Sequence, residues 1–332
     1  MRHNTSQSVL RKYFLLAALC APLAAGAIDV NEPEVRAFID ELVRDEGLDR
    51  EDASSLLASA QFRPEVIEAM SRAPERTVEW RDYRAIFMDS GRISSGKAFA
   101  RLHSESLAKV ESDTGVPASV VLGILGVETR YGRITGRHLV LDSLATLAFQ
   151  HPRRGDFFRR ELKDFLVLHN EDALDAAEVL GSYAGAMGRA QFIPSSYRRY
   201  AVDGDGDGRR DLFSNWRDVL SSVAGYLSDH GWRRGGPVAM PATLAVNSTA
   251  TPQERGLSPP TTLGALRSAG VLFDGDLPDE TPAGLLLMHG ADGPEYWLAL
   301  PNFYVITRYN RSYKYALVVH QLGQAITSPD TG

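Results

Sequence analysis

The sequence predicts a mainly α-helical, α+β protein: a helical body carrying a small α/β insertion ahead of a last helix. Two observations predict this. From Asn31 to about His230, apolar residues recur at three- and four-residue spacing, the period of a helix with one buried face. From Gly235 the texture changes to Gly, Pro, Thr and Ser with short apolar runs between them, the pattern of turns and brief strands.

In chain order, Asn31 to Arg72 divides into short helices. Val35, Phe38, Ile39 and Leu42 mark the first; Gly47 ends it, and Leu48-Asp49 restarts the chain with acids in the next first turn. Pro64 opens a third helix bearing Val66, Ile67 and Met70, and Pro74 breaks it. Trp80 to Gly96 reads as a polar-aromatic segment. Ala98 to Thr114 reads as one helix with Leu102, Leu107 and Val110 on its apolar side. Gly115-Val116-Pro117 turns the chain into the next helix. His138–Phe149 and Arg153–Leu168 come next as helices, then a small-residue stretch from Gly181 to Gln191. A helix opens at Pro194, an acidic loop runs from Asp203 to Asp211, and a helix spans Trp216 to His230. Beyond Gly235, Leu263–Ala269 is a small helix. Gly284–Met288 and Tyr296–Leu300 are two strands joined by a turn, and Tyr313–Ile326 closes the chain as a helix. The expected division is a signal segment over 1–27, a helical flank over 28–97 and a core over 98–235 holding the loop at 203–218. A small α/β subdomain over 236–312 and a helix over 313–332 that packs back on the core complete it.

The N-terminus reads as an export signal. Arg2, Arg11 and Lys12 precede a short apolar core, and Ala25-Gly26-Ala27 offers a cleavage site. Cys20, the single cysteine, lies inside it, but Leu19 stands where a lipoprotein signal wants a small residue, which favours cleavage near Ala27 over a lipid anchor. After cleavage, 33 basic against 42 acidic residues give a net charge of −9. No basic excess exists to neutralise phosphates, so nucleic acid is not an expected partner. The mature chain would hold no thiol.

Four stretches carry chemistry. In the first, LGILGVETRYGR, an apolar run from Val120 to Val127 ends in Glu128. A carboxyl in apolar surroundings resists ionisation, which suits a general acid; a structural glutamate paired with Arg130, Arg133 or Arg137 is the alternative. The second is Asp203-Gly-Asp205-Gly-Asp207-Gly-Arg209-Arg-Asp211, which matches the start of a helix–loop–helix calcium site, with side-chain oxygens at positions 1, 3, 5 and 9 and a backbone carbonyl from Arg209 at position 7. Ser214 stands at position 12, where the site wants glutamate; Asp218 can supply the missing oxygen from the next helix. The third, GSYAGAMGRAQF, lets backbone approach backbone or a ligand. The fourth, from Phe303 to Tyr313, clusters aromatics with polar tips, suited to a sugar platform or to a half-buried strand and turn.

Together, LGILGVETRYGRITG, GSYAGAMGRAQFIPSSYRRYAVDGDGDG and LPNFYVITRYNRSYKYALVV, in this order, resemble the membrane-bound lytic murein transglycosylase B family over about Phe38 to His320. The resemblance implies a lysozyme-like catalytic core and an exported, periplasmic enzyme. Such an enzyme cuts the MurNAc-β-1,4-GlcNAc bond of peptidoglycan without water, leaving 1,6-anhydro-MurNAc ends. It implies Glu128 as the catalytic acid and then base. Ser182, Gln191, Phe192, Tyr226, Tyr309, Asn310 and Tyr315 are implied as cleft residues, Arg153 and Arg154 as substrate contacts, and Tyr83 as a weaker match. Phe157 stands where the family often has tyrosine. Structural calcium at Asp203, Asp205, Asp207, Arg209 and Asp218 is implied, with no organic cofactor. The implied partners are glycan strands and proteins of cell-wall synthesis or division, and a monomer is expected. A hydrolytic muramidase and a non-catalytic peptidoglycan-binding scaffold are the rival readings.

Overall fold

The computed structural model describes residues 26–71, 77–171 and 174–329. The signal segment, apart from Gly26 and Ala27, lies outside them, as do Cys20, Arg72 and the break expected at Pro74.

Local signals set the N-terminal helices. Helix α1 (Pro33–Glu46) ends at Gly47, whose φ of 68° is the left-handed conformation that glycine adopts without strain. Helix α2 (Arg50–Ser59) is capped by Asp49, which accepts the N–H groups of Glu51 and Asp52. Helix α3 (Pro64–Ser71) begins at the expected proline. The buried carboxylate of Asp142 accepts from Gln61 N and Arg63 Nε, tying this flank to the body.

The chain between Trp80 and Leu139 departs from expectation at three points. Trp80 to Gly96, which the sequence marks only as a polar-aromatic segment, forms α4 (Trp80–Phe87) and enters α5 (Ser90–Leu102). Its apolar face is aromatic, with Trp80 and Tyr83 buried beneath charged neighbours. Second, Ala98–Thr114 is not one helix. The chain breaks at His103 and restarts as α6 (Ser104–Thr114), and Leu102 points outward, 79% exposed. Third, His138-Leu139 form a short strand, β1 (His138–Leu139), before α8 (Val140–Gln150).

Between them, α7 (Ala118–Thr129) is buried nearly all round. Its glycines cost a helix about 1 kcal/mol each. Five fully buried aliphatics, Val120, Val121, Leu122, Ile124 and Leu125, contribute roughly 1.5–3 kcal/mol each, so burial decides. Helix α9 (Gly155–Glu171), strand β2 (Leu180–Gly181), helix α10 (Pro194–Tyr200) and helix α11 (Trp216–Asp229) complete the body, with β2 antiparallel to β1.

The insertion is a five-stranded antiparallel sheet of order β4-β6-β7-β3-β5, formed by β3 (Ala239–Leu244), β4 (Thr261–Thr262), β5 (Val271–Leu272), β6 (Pro282–Gly290) and β7 (Gly293–Ala299). Of these, the sequence predicts only β6 and β7. Register pairs Leu285 with Leu298 and Leu286 with Trp297. Leu285 and Leu298 pack with Leu263 and Leu266 of α12 (Leu263–Ser268) in a separate small core, while Leu286 and Met288 join the main one.

The chain then returns through α13 (Pro301–Tyr309), where Phe303 and Tyr304 sit in a helix rather than a strand, and ends in α14 (Tyr313–Thr327). Helices α7 and α14 touch backbone to backbone. A Cβ on Gly123 would lie 2.2 Å from the Val319 carbonyl oxygen, and one on Gly323 would lie 2.1 Å from that of Ser119. This contact carries the C-terminal residues to the end of α7.

Candidate active site

Glu128, half-buried, is the penultimate residue of α7. The helix stops because Arg130, Tyr131 and Gly132 all take positive φ (50°, 58° and 79°). Two non-glycine residues in this region cost on the order of 1–3 kcal/mol each, so the surroundings must hold them there. The Tyr131 ring folds back so that its hydroxyl lies against Gly96 and Gly126, at places where any Cβ would clash. Arg130 Nη2 donates to Asp89 Oδ1 at 2.9 Å. The Thr129 hydroxyl accepts from Gly132 N and donates to the Arg189 carbonyl. Glu128 therefore sits just ahead of a fixed turn, and the nearby Arg130 is engaged with the N-cap carboxylate of α5.

Across from it, Tyr315 at the start of α14 donates its hydroxyl to Glu128 Oε1 at 2.5 Å. Tyr309 donates to the Ala190 carbonyl at 2.6 Å, and its ring packs on Phe192 and Tyr226 at 5.7 and 5.0 Å. Tyr226 donates to the Arg308 carbonyl at 2.7 Å. Burial, and then the nearby Glu128 carboxylate, push the phenols of Tyr309 and Tyr315 well above their usual range. Burial and Tyr200 push Tyr226 up to about 12. All three stay protonated donors at neutral pH.

The small-residue stretch forms one wall as a folded loop, not as a helix. Gly181 bridges Met187, which bridges Phe192. Gly181 must be glycine, since a Cβ there would lie 2.3 Å from the Ala186 carbonyl oxygen. Ser182 Oγ accepts from the N–H groups of Ala184 and Ala186, so its own proton is what it can offer a ligand. Gln191, at φ 52°, donates Nε2 to the carbonyls of Thr135 and Gly188, which leaves Oε1.

Two hollows flank this wall. The larger, about 900 Å³, is lined by Arg154, Tyr183, Ala184, Asn310, Ser312 and Lys314 among others. A smaller one, about 120 Å³, is lined by Gln191, Phe192, Tyr226 and Tyr309. The Arg154 guanidinium lies over the Phe157 and Phe158 rings at 4.6 and 4.8 Å. Arg153 is exposed and stands outside both linings, as do the side chains of Glu128, Ser182 and Tyr315. Tyr83 is fully buried, its ring 5.1 Å from Phe87, with Tyr315 near it. Tyr83 and Tyr315 therefore lie behind Glu128 and not on the open surface. Tyr183 and Lys314 were not singled out by the sequence, where nothing distinguishes them from surface residues. The buried acid Glu161 accepts from the Ser195 backbone and hydroxyl, and burial raises its pKa; it anchors α10.

In the acidic loop, carboxylate oxygens of Asp203, Asp205 and Asp218 come within 4.8 Å of one another. Asp218 is buried and accepts from Gly204 N and Asp211 N; Asp203 accepts from Gly206, Asp207 and Gly208 N–H groups. Asp207 instead accepts from Arg209 N. An all-oxygen set of three acids on a glycine-turned loop fits a hard divalent cation. The loop also braces the cleft wall, because Leu212 O accepts from Arg189 N and Ser214 O from Arg189 Nη1.

Comparison with known proteins agrees with this geometry. The transglycosylase SLT domain family matches residues 31–324. The membrane-bound lytic murein transglycosylase B of Escherichia coli (strain K12) is 38% identical over 322 residues, 94% of this chain and 88% of that protein. The soluble lytic transglycosylase SltB1 of Pseudomonas aeruginosa superposes with a TM-score of 0.84 at 44% identity, covering 89% of this chain and 98% of that one. An Escherichia coli lytic transglycosylase solved in complex with calcium gives 0.81 at 38%, covering 89% and 93%. SltB3 of Pseudomonas aeruginosa, solved in complex with NAG-anhNAM-pentapeptide, gives 0.77 at 34%, covering 88% and 78%.

Proposed function

The chain belongs to the transglycosylase SLT domain family, and from that premise we infer that it is a lytic murein transglycosylase acting on the glycan strands of peptidoglycan. The observation that carries the mechanism is the fixed position of Glu128, with Tyr315 donating to one of its oxygens. Oε1 accepts that hydroxyl, which holds the carboxyl group at the end of α7. Glu128 protonates the leaving oxygen as the MurNAc C1–O bond breaks. As a carboxylate it then takes the proton from the MurNAc 6-hydroxyl, whose oxygen closes on C1. One acid suffices because the substrate supplies the nucleophile, whereas hydrolytic glycosidases generally use two carboxylates. The buried acid Glu161 is committed to Ser195 and takes no part.

Ser182 would donate to the substrate and Gln191 Oε1 would accept from it. Asn310 and Arg154 would contact sugar or stem-peptide groups in the larger hollow, and Phe192, Tyr226 and Tyr309 would form an aromatic floor. Arg153 would reach substrate only from the rim, and Tyr83 acts through Tyr315. Asp203, Asp205 and Asp218 would hold calcium, whose charge offsets three converging carboxylates and so stiffens the loop behind the cleft; Asp207 and the Arg209 carbonyl complete the proposed set. The relative solved with calcium supports this choice of ion. Export with cleavage after Ala27 places the enzyme in the periplasm. We retain the division into flank, core and subdomain, but draw the core to include 301–312, which supplies Tyr309 and Asn310.

Mass spectrometry of peptidoglycan digested by the purified protein tests the reaction. Anhydro-muramic ends are expected; reducing muramic ends would replace this reading with a hydrolytic one. Glu128→Gln is expected to lose at least roughly 10²–10⁴-fold in rate.

A further inference from the structure

A second groove, about 590 Å³, lies between α4, the β6–β7 hairpin and α14. The hairpin contributes residues to both this groove and the larger hollow. Cross-strand pairing of Leu286 with Trp297 and of Met288 with Glu295 sets Trp297 and Glu295 on one side of the sheet. Leu287 and His289 point to the other, and together with Met288 they line the larger hollow. We propose that this groove is a second saccharide site, which grips N-acetylglucosamine units of a glycan strand outside the cleft; it rests on the reading of peptidoglycan as substrate.

The groove is built for a neutral, hydrogen-bonding ring. Trp297 is half-buried, so part of its indole remains as a platform. Glu295 is held in place: its Oε2 faces the indole N–H groups of Trp80 and Trp297 at 3.2 and 3.4 Å. Its Oε1 lies where a Cβ on Gly290 would be 1.9 Å away, so only glycine admits the carboxylate there. Arg84 Nε donates to Gln321 Oε1 at 2.6 Å, which orients that amide and leaves its NH₂ as a donor; Gln324 is exposed beside it. Arg81, itself paired with Asp82, and Arg84 line the groove together with Asp292 and Glu295, so charges of both signs are present. Its volume lies within the range of small-ligand sites, roughly 300–1,000 Å³. For a polymeric substrate, a second contact raises retention on the polymer without changing the chemistry at Glu128.

The test uses the full chain carrying Glu128→Gln, ¹⁵N-labelled and titrated with chitotetraose. The chain has four tryptophans, so four indole N–H signals report, and Trp297→Phe assigns one of them. A saturable shift of the Trp297 signal is expected, with those of Trp216 and Trp232 unmoved. In otherwise wild-type protein, Arg84→Ala/Gln324→Ala should weaken binding to intact sacculi on the order of five- to tenfold. Turnover of a short soluble glycan fragment should stay unchanged. An unmoved Trp297 signal, a shift caused by free stem peptide and not by the sugar, or undiminished sacculus binding by the double variant would overturn the proposal. Failure of the wild type to produce anhydro ends would instead overturn the proposed function, whatever Trp297 does.

Discussion

Tyr315 and Glu128, 187 residues apart in sequence, meet at 2.5 Å between the start of one buried helix and the end of another. A donor to the charged form of a carboxylate favours that form. Tyr315→Phe should therefore shift Glu128 ionisation to higher pH. The alkaline limb of the kcat/KM profile, which reports loss of the acid form, should move up, while the rate at its optimum falls because the carboxylate is less firmly held. Tyr315 itself stays protonated, since burial and Glu128 both raise its pKa, so its own titration does not confuse the profile. A Tyr315→Phe profile overlying the wild type would refute this link.

The same two helices set a packing limit. Ala at Gly323 would place a Cβ 2.1 Å from the Ser119 carbonyl oxygen, which backbone cannot relieve without moving the helices apart. Overpacking of this kind costs about 1–3 kcal/mol. Gly225→Ala in α11 is the control, because its Cβ would meet only Val202 at an ordinary 3.6 Å. That change should be neutral or add about 0.4–1 kcal/mol. Urea denaturation midpoints check both. Lower turnover is expected in Gly323→Ala alone, since α14 carries Tyr315.

The features legible in the sequence are those set by local forces. Gly47, Asp49, Pro64 and Pro194 mark helix ends through their own backbone and side-chain chemistry, and the ends fall there. The 1-3 spacing of Asp203 and Asp205, with Asp218 one helix entry later, likewise gathers the acids seen in the loop. The break at His103 has no proline or glycine to announce it; the rings of Phe99, His103 and Trp216 meet there at tilted and edge-on angles, and Trp216 is a distant partner. Helix α4 is hidden in the sequence because its charged residues interrupt an aromatic face whose burial depends on α14 and the hairpin. Strands β4 and β5, two residues each, exist only through partners far along the chain. At Gly123 and Gly126 the sequence indicates close approach but not by what: Val319 meets the first, and Tyr131 with Leu322 the second.

His320 gives a stability prediction with a definite sign. It lies on α14 beside the Ala239 backbone, and burial lowers its pKa from 6.5 to about 4. As pH falls below about 6.5 the unfolded chain binds the proton first, so the folded state loses stability until about pH 4, where both forms are protonated. The upper bound is about 3 kcal/mol. Melting temperatures of wild type and His320→Gln should converge or cross as pH drops from 7 to 4, with the variant falling less steeply. Parallel curves would remove His320 as the cause.

Calcium should act on stability through the loop and not by opening the fold. Three carboxylates within 4.8 Å repel one another, and a bound dication removes that repulsion in the folded state only. At a hundredfold excess over Kd the gain is about 2.7 kcal/mol, a rise of several degrees in Tm. Asp205 is exposed and is one of the repelling carboxylates, so Asp205→Ala should leave the metal-free melting temperature unchanged or higher while abolishing most of the rise. Differential scanning calorimetry with calcium, with magnesium and with a chelator separates the cases. Magnesium should do less, because it dehydrates reluctantly and wants a tighter octahedral set. Because Leu212 and Ser214 hold Arg189, and Arg189 holds Thr129 beside Glu128, chelation should also lower turnover in the wild type. A calcium-induced rise that survives in Asp205→Ala would place the ion elsewhere.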